Sequence, residues 1–324
     1  MPDWLLYTGS RRPHDGIDRL PPPPPWRAFD GEPLLPSPGG DSGNAHQATT
    51  YRPSDDAIQQ VNAALYLRRP LLVTGPPGTG KSTLAYAVAH ELGLGPVLHW
   101  PITSRTTLRD GLYQYDPLTR LYAAGRESTA SVEEDIGRYI RLGPLGTALL
   151  PYGRPRVLLV DEIDKSDIDL PNDLLTIFEK GEYELPELSR RAEPSAEVMT
   201  ADGPDSRVTV TAGTVRCNAF PLVVLTSNGE REFPPAFLRR CVTVELRQPS
   251  GEAELAAIVR EHLGALADRS DDLVRRFLER SASGTLATDQ LLNAVYLCRH
   301  ADADDRSALA DRIMPYLAGP IDDD

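Results

Sequence analysis

In the stretch PLLVTGPPGTGKST, residues 70–83, an apolar run ends in a glycine-rich loop that closes on Lys81 and Ser82. In the pattern G-x-x-x-x-G-K-[ST], Gly75 and Gly80 let the backbone turn so that its N–H groups face a β-phosphate. Lys81 then reaches the β- and γ-phosphates and Ser82 offers its hydroxyl to Mg²⁺, with Pro76, Pro77, Gly78, Thr79 and Thr83 completing the cradle. Ahead of the loop, Leu71, Leu72 and Val73 read as a short buried strand. Residues 84–92 read as the helix whose positive N-terminus receives the anion.

A second apolar run, RVLLVDEIDK at 156–165, sets two adjacent carboxylates at the end of a buried strand. Asp161 is expected to hold Mg²⁺ through water, and Glu162 to orient and partly deprotonate the water that attacks the γ-phosphate. A third run, PLVVLTSN at 221–228, ends in the amide of Asn228, which can hydrogen-bond that water or the γ-phosphate. Taken alone before Gly229, Asn228 reads nearly as well as a turn former. PPAFLRRC at 234–241 then places Arg239 and Arg240 ahead of another apolar run, VTVEL at 242–246. A surface ion pair is the ordinary use of such arginines.

Apolar periodicity supplies the elements that must hold these residues. From residue 51 to 246 strands alternate with helices, the pattern of an α/β fold with a parallel sheet covered on both faces. Its ligand belongs at the C-terminal ends of the strands, where Lys81, Asp161, Glu162 and Asn228 fall. Beyond Pro249 the pattern is helical. Leu255, Ile258, Val259 and Leu263 share one face, and Leu292, Val295 and Tyr296 another, consistent with a small all-helical lid.

In this order the blocks resemble the AAA+ ATPases, and specifically their MoxR-like branch. YRPSDDAIQQVNAALYLRRPLLVTGPPGTGKS is similar to that family's first helix and Walker A, and LGPLGTALL ahead of VLLVDEID to its segment leading into Walker B. The resemblance covers residues 49–246 well. It implies an AAA+ domain over 49–248, a lid over 249–324, ATP and Mg²⁺ as cofactors, and assembly into a hexameric ring. The ring would remodel or activate a partner protein, often one with a von Willebrand factor A domain. Lys81 and Ser82 fall on the Walker A, Asp161 and Glu162 on the Walker B, and Asn228 on sensor 1. Arg240 falls on the arginine finger that acts on a neighbouring subunit's nucleotide, with Arg239 the alternative one residue earlier.

The chain departs from the family pattern in its lid, where SASGTLATDQLLNAV at 281–295 lacks the sensor 2 arginine. Slow hydrolysis, or substitution by Arg299, follows from that departure. Cys241 also stands where the family usually has an aromatic residue. The long segment 182–219 is expected to hold a β-hairpin inserted ahead of sensor 1, acting as a lever toward a partner and contributing little to stability; a plain surface loop is the alternative.

Residues 1–48, with PPPPP and GGDSGN, read as a Pro-rich arm without a core of its own, able to dock through Trp26, Phe29, Leu34 and Leu35. The net charge of −13 counts against nonspecific grip on a nucleic-acid backbone. LRR at 67–69 and SRR at 189–191 read as solvated surface and the final IDDD as a solvated tail. No apolar run approaches the roughly twenty residues that span a bilayer, and MPDWLLYTGS lacks the character of a secretory signal. The isolated Cys217, Cys241 and Cys298 indicate neither a disulfide framework nor a zinc site, so a cytoplasmic protein is expected. Two other classes use the same motifs: a nucleotide-gated switch with slow hydrolysis, and a nucleic-acid-linked NTPase, ATP or GTP being equally compatible with the loop.

These assignments separate two variants. Lys81→Ala should abolish tight nucleotide binding, because the phosphate charge loses its fixed cation. Glu162→Gln should bind normally and stop releasing phosphate, which equilibrium binding beside a phosphate-release assay will measure.

Overall fold

A computed structural model describes residues 4–40, 44–124, 136–190, 195–264, 270–281, 286–298 and 309–314. They fall into two compact units, one of residues 1–74 and 82–244, the other of residues 75–81 and 245–324. The strands in chain order are β1 (Leu71–Thr74), β2 (Leu98–Pro101), β3 (Tyr113–Tyr115), β4 (Ile140–Leu142), β5 (Val157–Asp161) and β6 (Glu182–Glu184). They continue as β7 (Ser195–Met199), β8 (Arg207–Thr211), β9 (Thr214–Arg216), β10 (Leu222–Ser227) and β11 (Val242–Glu245).

The central sheet has the order β11-β1-β10-β5-β2. Strand β10 runs parallel to both β1 and β5, and every one of its residues is buried. A continuous apolar run is what a strand covered on both faces requires. Register then decides where the polar ends meet. Thr74 lies opposite Ser227, Leu225 opposite Val160, and Pro101 opposite Asp161. The ends of β1, β2, β5 and β10 therefore share one edge.

The helix Asp55–Leu67 precedes β1, starts on the Ser54 side chain, which accepts from the Ala57 N–H, and ends in left-handed Arg68. Arg68 is buried; its guanidinium donates to the carbonyls of Leu65 and Pro21 and so satisfies the open end of that helix. This corrects the reading of 67–69 as solvated surface at Arg68, while Leu67 is exposed as expected.

The N-terminal arm docks, through Phe29 and Leu35 of the four apolar residues expected to do so and through a further set nearer its start. Leu5, Leu6 and Tyr7 are buried, and the N–H groups of Leu6 and Tyr7 donate to Asn62 Oδ1 at 2.6 and 3.1 Å. Thr8 and Arg11 donate their N–H groups to the buried carboxylate of Glu91, the last residue of the helix Lys81–Glu91. Phe29 stacks on Phe220 with ring centroids 5.1 Å apart, whereas Trp26 is 77% exposed and Leu34 61%. Short apolar LLY beside a polar Asn and Glu outcompetes the larger but isolated Trp26.

Segment 182–219 contains the antiparallel hairpin β7–β8, which extends β3 and β4 into a four-stranded sheet of order β3-β4-β7-β8. Strands β6 and β9 pair at its base. Alternation in RVTVT turns Val208 and Val210 inward, where Val198, Val215, Leu185 and Leu188 are buried with them. Each such burial stabilises by about 1.5–3 kcal/mol relative to exposure. The segment is thus part of the core, which corrects its reading as an appendage of little weight for stability.

The second unit holds the helices Glu252–Leu263, Asp271–Ser281 and Thr288–Cys298 around a core that includes Leu255, Val259, Val274, Phe277, Leu291, Ala294, Val295 and Cys298. Tyr296 is 52% exposed, so the buried stripe of the helix Thr288–Cys298 runs through Leu291, Val295 and Cys298 rather than Tyr296. Arg191, Arg299 and the final IDDD lie outside the described residues. Among the described residues no helix is long and apolar enough to cross a membrane.

Beyond the hairpin's strand β7, Asp202 meets Arg156, whose fully buried guanidinium donates to Asp202 Oδ1 at 2.6 Å and to the Pro96 carbonyl at 3.1 Å. Asp202→Ala leaves a buried cation without its counter-charge, which typically costs about 3–5 kcal/mol. A urea titration should show that loss; an unchanged midpoint would return the pair to the status of a surface contact.

Candidate functional site

The loop 75–81 joins β1 to the helix Lys81–Glu91. Its backbone is a place for glycine. Gly75 has φ 144° and Gly78 φ 76°; a Cβ on Gly75 would lie 2.2 Å from the Leu246 carbonyl oxygen, and one on Gly78 2.6 Å from Ala287 Cβ. Lys81 is buried, and its Nζ donates to the carbonyls of Gly75 and Pro76 at 2.8 and 2.9 Å. The Thr79 hydroxyl donates to the Pro76 carbonyl at 2.9 Å.

At the C-terminal edge of the central sheet, Asp161 gathers three side chains. The hydroxyls of Ser82 and Thr226 each donate to its Oδ1 at 2.7 Å, and His99 Nε2 lies 3.3 Å from its Oδ2. Burial by itself raises the carboxyl pKa, but the hydrogen bonds from His99, Thr226 and Ser82 outweigh it and hold the group at about 2. The residue is therefore an anion throughout the neutral range.

Glu162 follows in the left-handed region, φ 60° and ψ 50°, an uncommon place for a residue with a side chain. Its N–H donates to Thr226 Oγ1 at 2.8 Å, and its carboxylate pairs with Lys165 Nζ at 2.7 Å, both side chains being 42% exposed. Asn228 lies just past β10. Its N–H donates to Asp164 Oδ2 at 2.9 Å, the Glu230 N–H donates to the same oxygen at 3.2 Å, and the Asn228 amide reaches Glu230 Oε1 at 3.5 Å.

Ser82, Asp161, Glu162 and Asn228 thus share one edge of the sheet. Arg239 and Arg240 do not. The Val242 N–H donates to the Pro70 carbonyl and the Thr74 hydroxyl to the Val244 carbonyl, so β11 runs in the direction of β1 and Arg240 precedes its start. Arg240 pairs with Glu179 and donates to the Ala236 carbonyl at 3.1 Å, while the Arg239 carbonyl accepts from Arg69 at 3.2 Å. Around Arg240 opens a cleft of about 360 Å³ lined by Trp26, Arg27, Arg69 and Glu179 among others.

The motif reading passed over Thr226, His99, Asp164 and Lys165. Thr226 carries a usable signal, since it is a hydroxyl residue near the end of the apolar run that leads into Asn228. Nothing in the local sequence marks His99, which reaches Asp161 only because β2 pairs with β5.

A hydroxyl and a carboxylate in contact are the hard oxygen donors that Mg²⁺ takes, and a loop of glycines at positive φ with no room for Cβ atoms is a phosphate cradle. The residues therefore fit a Mg²⁺–nucleotide. A parallel sheet of this order, with that loop after β1 and an acidic pair ending β5, defines a P-loop nucleotide-binding protein. Residues 70–241 match the family described as AAA domain (dynein-related subfamily), and the chain belongs to that family of AAA+ domains, which typically act as ATPases. No curated protein matches the chain. It is similar to a solved structure of C. elegans PCH-2 at 14% identity and a TM-score of 0.39, over 80% of this chain and 65% of that one.

The pH behaviour of Asp161 follows from its network. Its folded value of about 2 lies under the ordinary 3.8, so the ionised group stabilises the fold above that ordinary value and the contribution is lost as pH falls through about 2. The stability gap between the wild type and Asp161→Asn should be constant at neutral pH and shrink as pH drops from about 4 toward 2. Denaturant titrations across that window will measure it; a gap that widens on acidification would contradict the network.

Proposed function

We propose that this chain is a Mg²⁺-dependent ATPase of the MoxR-like type, working in a hexameric ring to remodel or activate a partner protein. The observation that carries the reading is Asp161 Oδ1, which receives the Ser82 hydroxyl at 2.7 Å with Glu162 next in sequence at the same sheet edge. Lys81 binds the β- and γ-phosphates, and Ser82 with Asp161 holds the metal, Asp161 through water. When bound, Mg²⁺ supplies charge neutralisation on the phosphate oxygens. Glu162 takes a proton from the attacking water and Asn228 orients that water. The partner class, including a von Willebrand factor A domain protein, follows from the MoxR-like resemblance. Residues 49–248 then form the catalytic domain, with insert 182–219 facing the partner, and 249–324 the lid.

The place of Arg240 supports action across subunits. It precedes β11, and a four-residue strand spans about 13 Å, so the guanidinium lies at the sheet edge opposite Ser82 and Asp161. Its pairing with Glu179 is half-exposed and of low worth, hence readily exchanged for a neighbour's phosphate. Arg239, whose carbonyl is tied to Arg69, is the less suited of the two.

A second reading, a nucleotide-gated switch that hydrolyses slowly, draws on the Lys165–Glu162 contact, which occupies Oε2 of the carboxylate proposed to accept the proton. The absence of arginine from 281–295 favours it as well. Turnover with and without the partner distinguishes motor from switch.

Arg240→Ala should bind nucleotide in its own pocket and hydrolyse it roughly 10³-fold more slowly. Mixing Arg240→Ala with Glu162→Gln subunits should restore part of the activity, because a pocket with intact Glu162 then faces an intact Arg240. Turnover independent of protein concentration, in a species that light scattering finds monomeric, would sink the trans assignment.

A further inference from the structure

The hydroxyl of Thr226 is hydrogen-bonded to both carboxylate residues at the end of β5. It donates its proton to Asp161 Oδ1 at 2.7 Å and accepts the Glu162 N–H at 2.8 Å. A hydroxyl has one proton to give, so these two bonds fix its direction. Thr226 is 1% exposed, and its branched Cβ holds the hydroxyl in a stiff rotamer. The residue it holds by the N–H, Glu162, has a left-handed backbone that a side chain disfavours. A return tie runs the other way, from Asp164 Oδ2 to the N–H groups of Asn228 and Glu230.

We infer that Thr226 is a positioning residue for hydrolysis, setting the water-activating carboxylate of Glu162 against the metal-binding carboxylate of Asp161. The inference rests on the proposed roles of Asp161 and Glu162. Thr226 also lies two residues before Asn228, which follows directly on β10. A slide of β10 against β5 therefore moves Asn228 and re-aims Glu162 in a single displacement. Lys165 Nζ holds the far end of the Glu162 side chain, so the backbone end held by Thr226 is the one that stays fixed when that exposed ion pair opens.

The test compares Thr226→Val, which keeps shape and loses the hydroxyl, with Thr226→Ser, which keeps the hydroxyl and loses a methyl. Thr226→Val should lower kcat roughly tenfold or more while ATP affinity stays within about threefold, since the two hydrogen bonds at stake set Glu162 against Asp161 and neither reaches phosphate. Thr226→Ser should recover most of kcat. Because Thr226→Val strands a buried N–H, Thr226→Cys is a second variant, with a weaker hydrogen-bonding sulfur and an intermediate kcat. Thermal melts of all three accompany the kinetics.

A wild-type kcat in Thr226→Val beside an inactive Glu162→Gln would overturn this inference and leave the proposed function standing. Equal loss in the valine and serine variants, tracking a common drop in melting temperature, would also overturn it. Normal hydrolysis by Glu162→Gln would remove the proposed role of Glu162 and this inference together.

Discussion

The pairing of β10 between β1 and β5 is the constraint on which the rest of the molecule depends. All six residues of β10 are buried, so the strand has no face for water and must sit in the middle of the sheet. Parallel pairing then brings Thr226 and Asn228 beside Asp161 and Glu162 without a loop long enough to lose the geometry. A one-residue slip would turn Thr226 to the other face and break both of its hydrogen bonds.

Charge is sorted by the same sheet. Its C-terminal edge concentrates carboxylates, with Asp161 kept anionic by hydroxyl and imidazole donors and Asp164 Oδ2 accepting two backbone N–H groups. Its other edge gathers Arg27, Arg69 and Arg240 around the single carboxylate of Glu179. Burial lowers the pKa of Arg27, and neighbouring Arg69 lowers it further. A cleft lined by three arginines suits contact with an anionic surface or phosphate, as the proposed action of Arg240 across subunits requires.

Two segments that look peripheral in sequence are tied into the body. The arm closes on Asn62 and Glu91, which links the first residues of the chain to the helix after the phosphate loop. The insert closes on Arg156, immediately before β5, through Asp202. A displacement of the hairpin is therefore felt at the base of the strand that ends in Asp161. That gives the proposed partner-facing role of the insert a mechanical route and makes its removal costly to the fold.

The sequence by itself determined the α/β order, the phosphate loop and the acidic pair, because each is local. A glycine at positive φ, an apolar run and adjacent carboxylates are written in consecutive residues, and Lys81, Ser82, Asp161 and Glu162 could be named from them. Tertiary structure decided what depends on neighbours distant in the chain. Thr226 and His99 become partners of Asp161 only through strand register, across separations of 65 and 62 residues. The docking of Leu5–Tyr7 in place of Trp26, the burial of Arg68, and the conversion of the insert into core were likewise hidden. In each case the stabilising partner, whether Asn62, the Pro21 carbonyl or Arg156, lies tens of residues away, and no periodicity within a window records it.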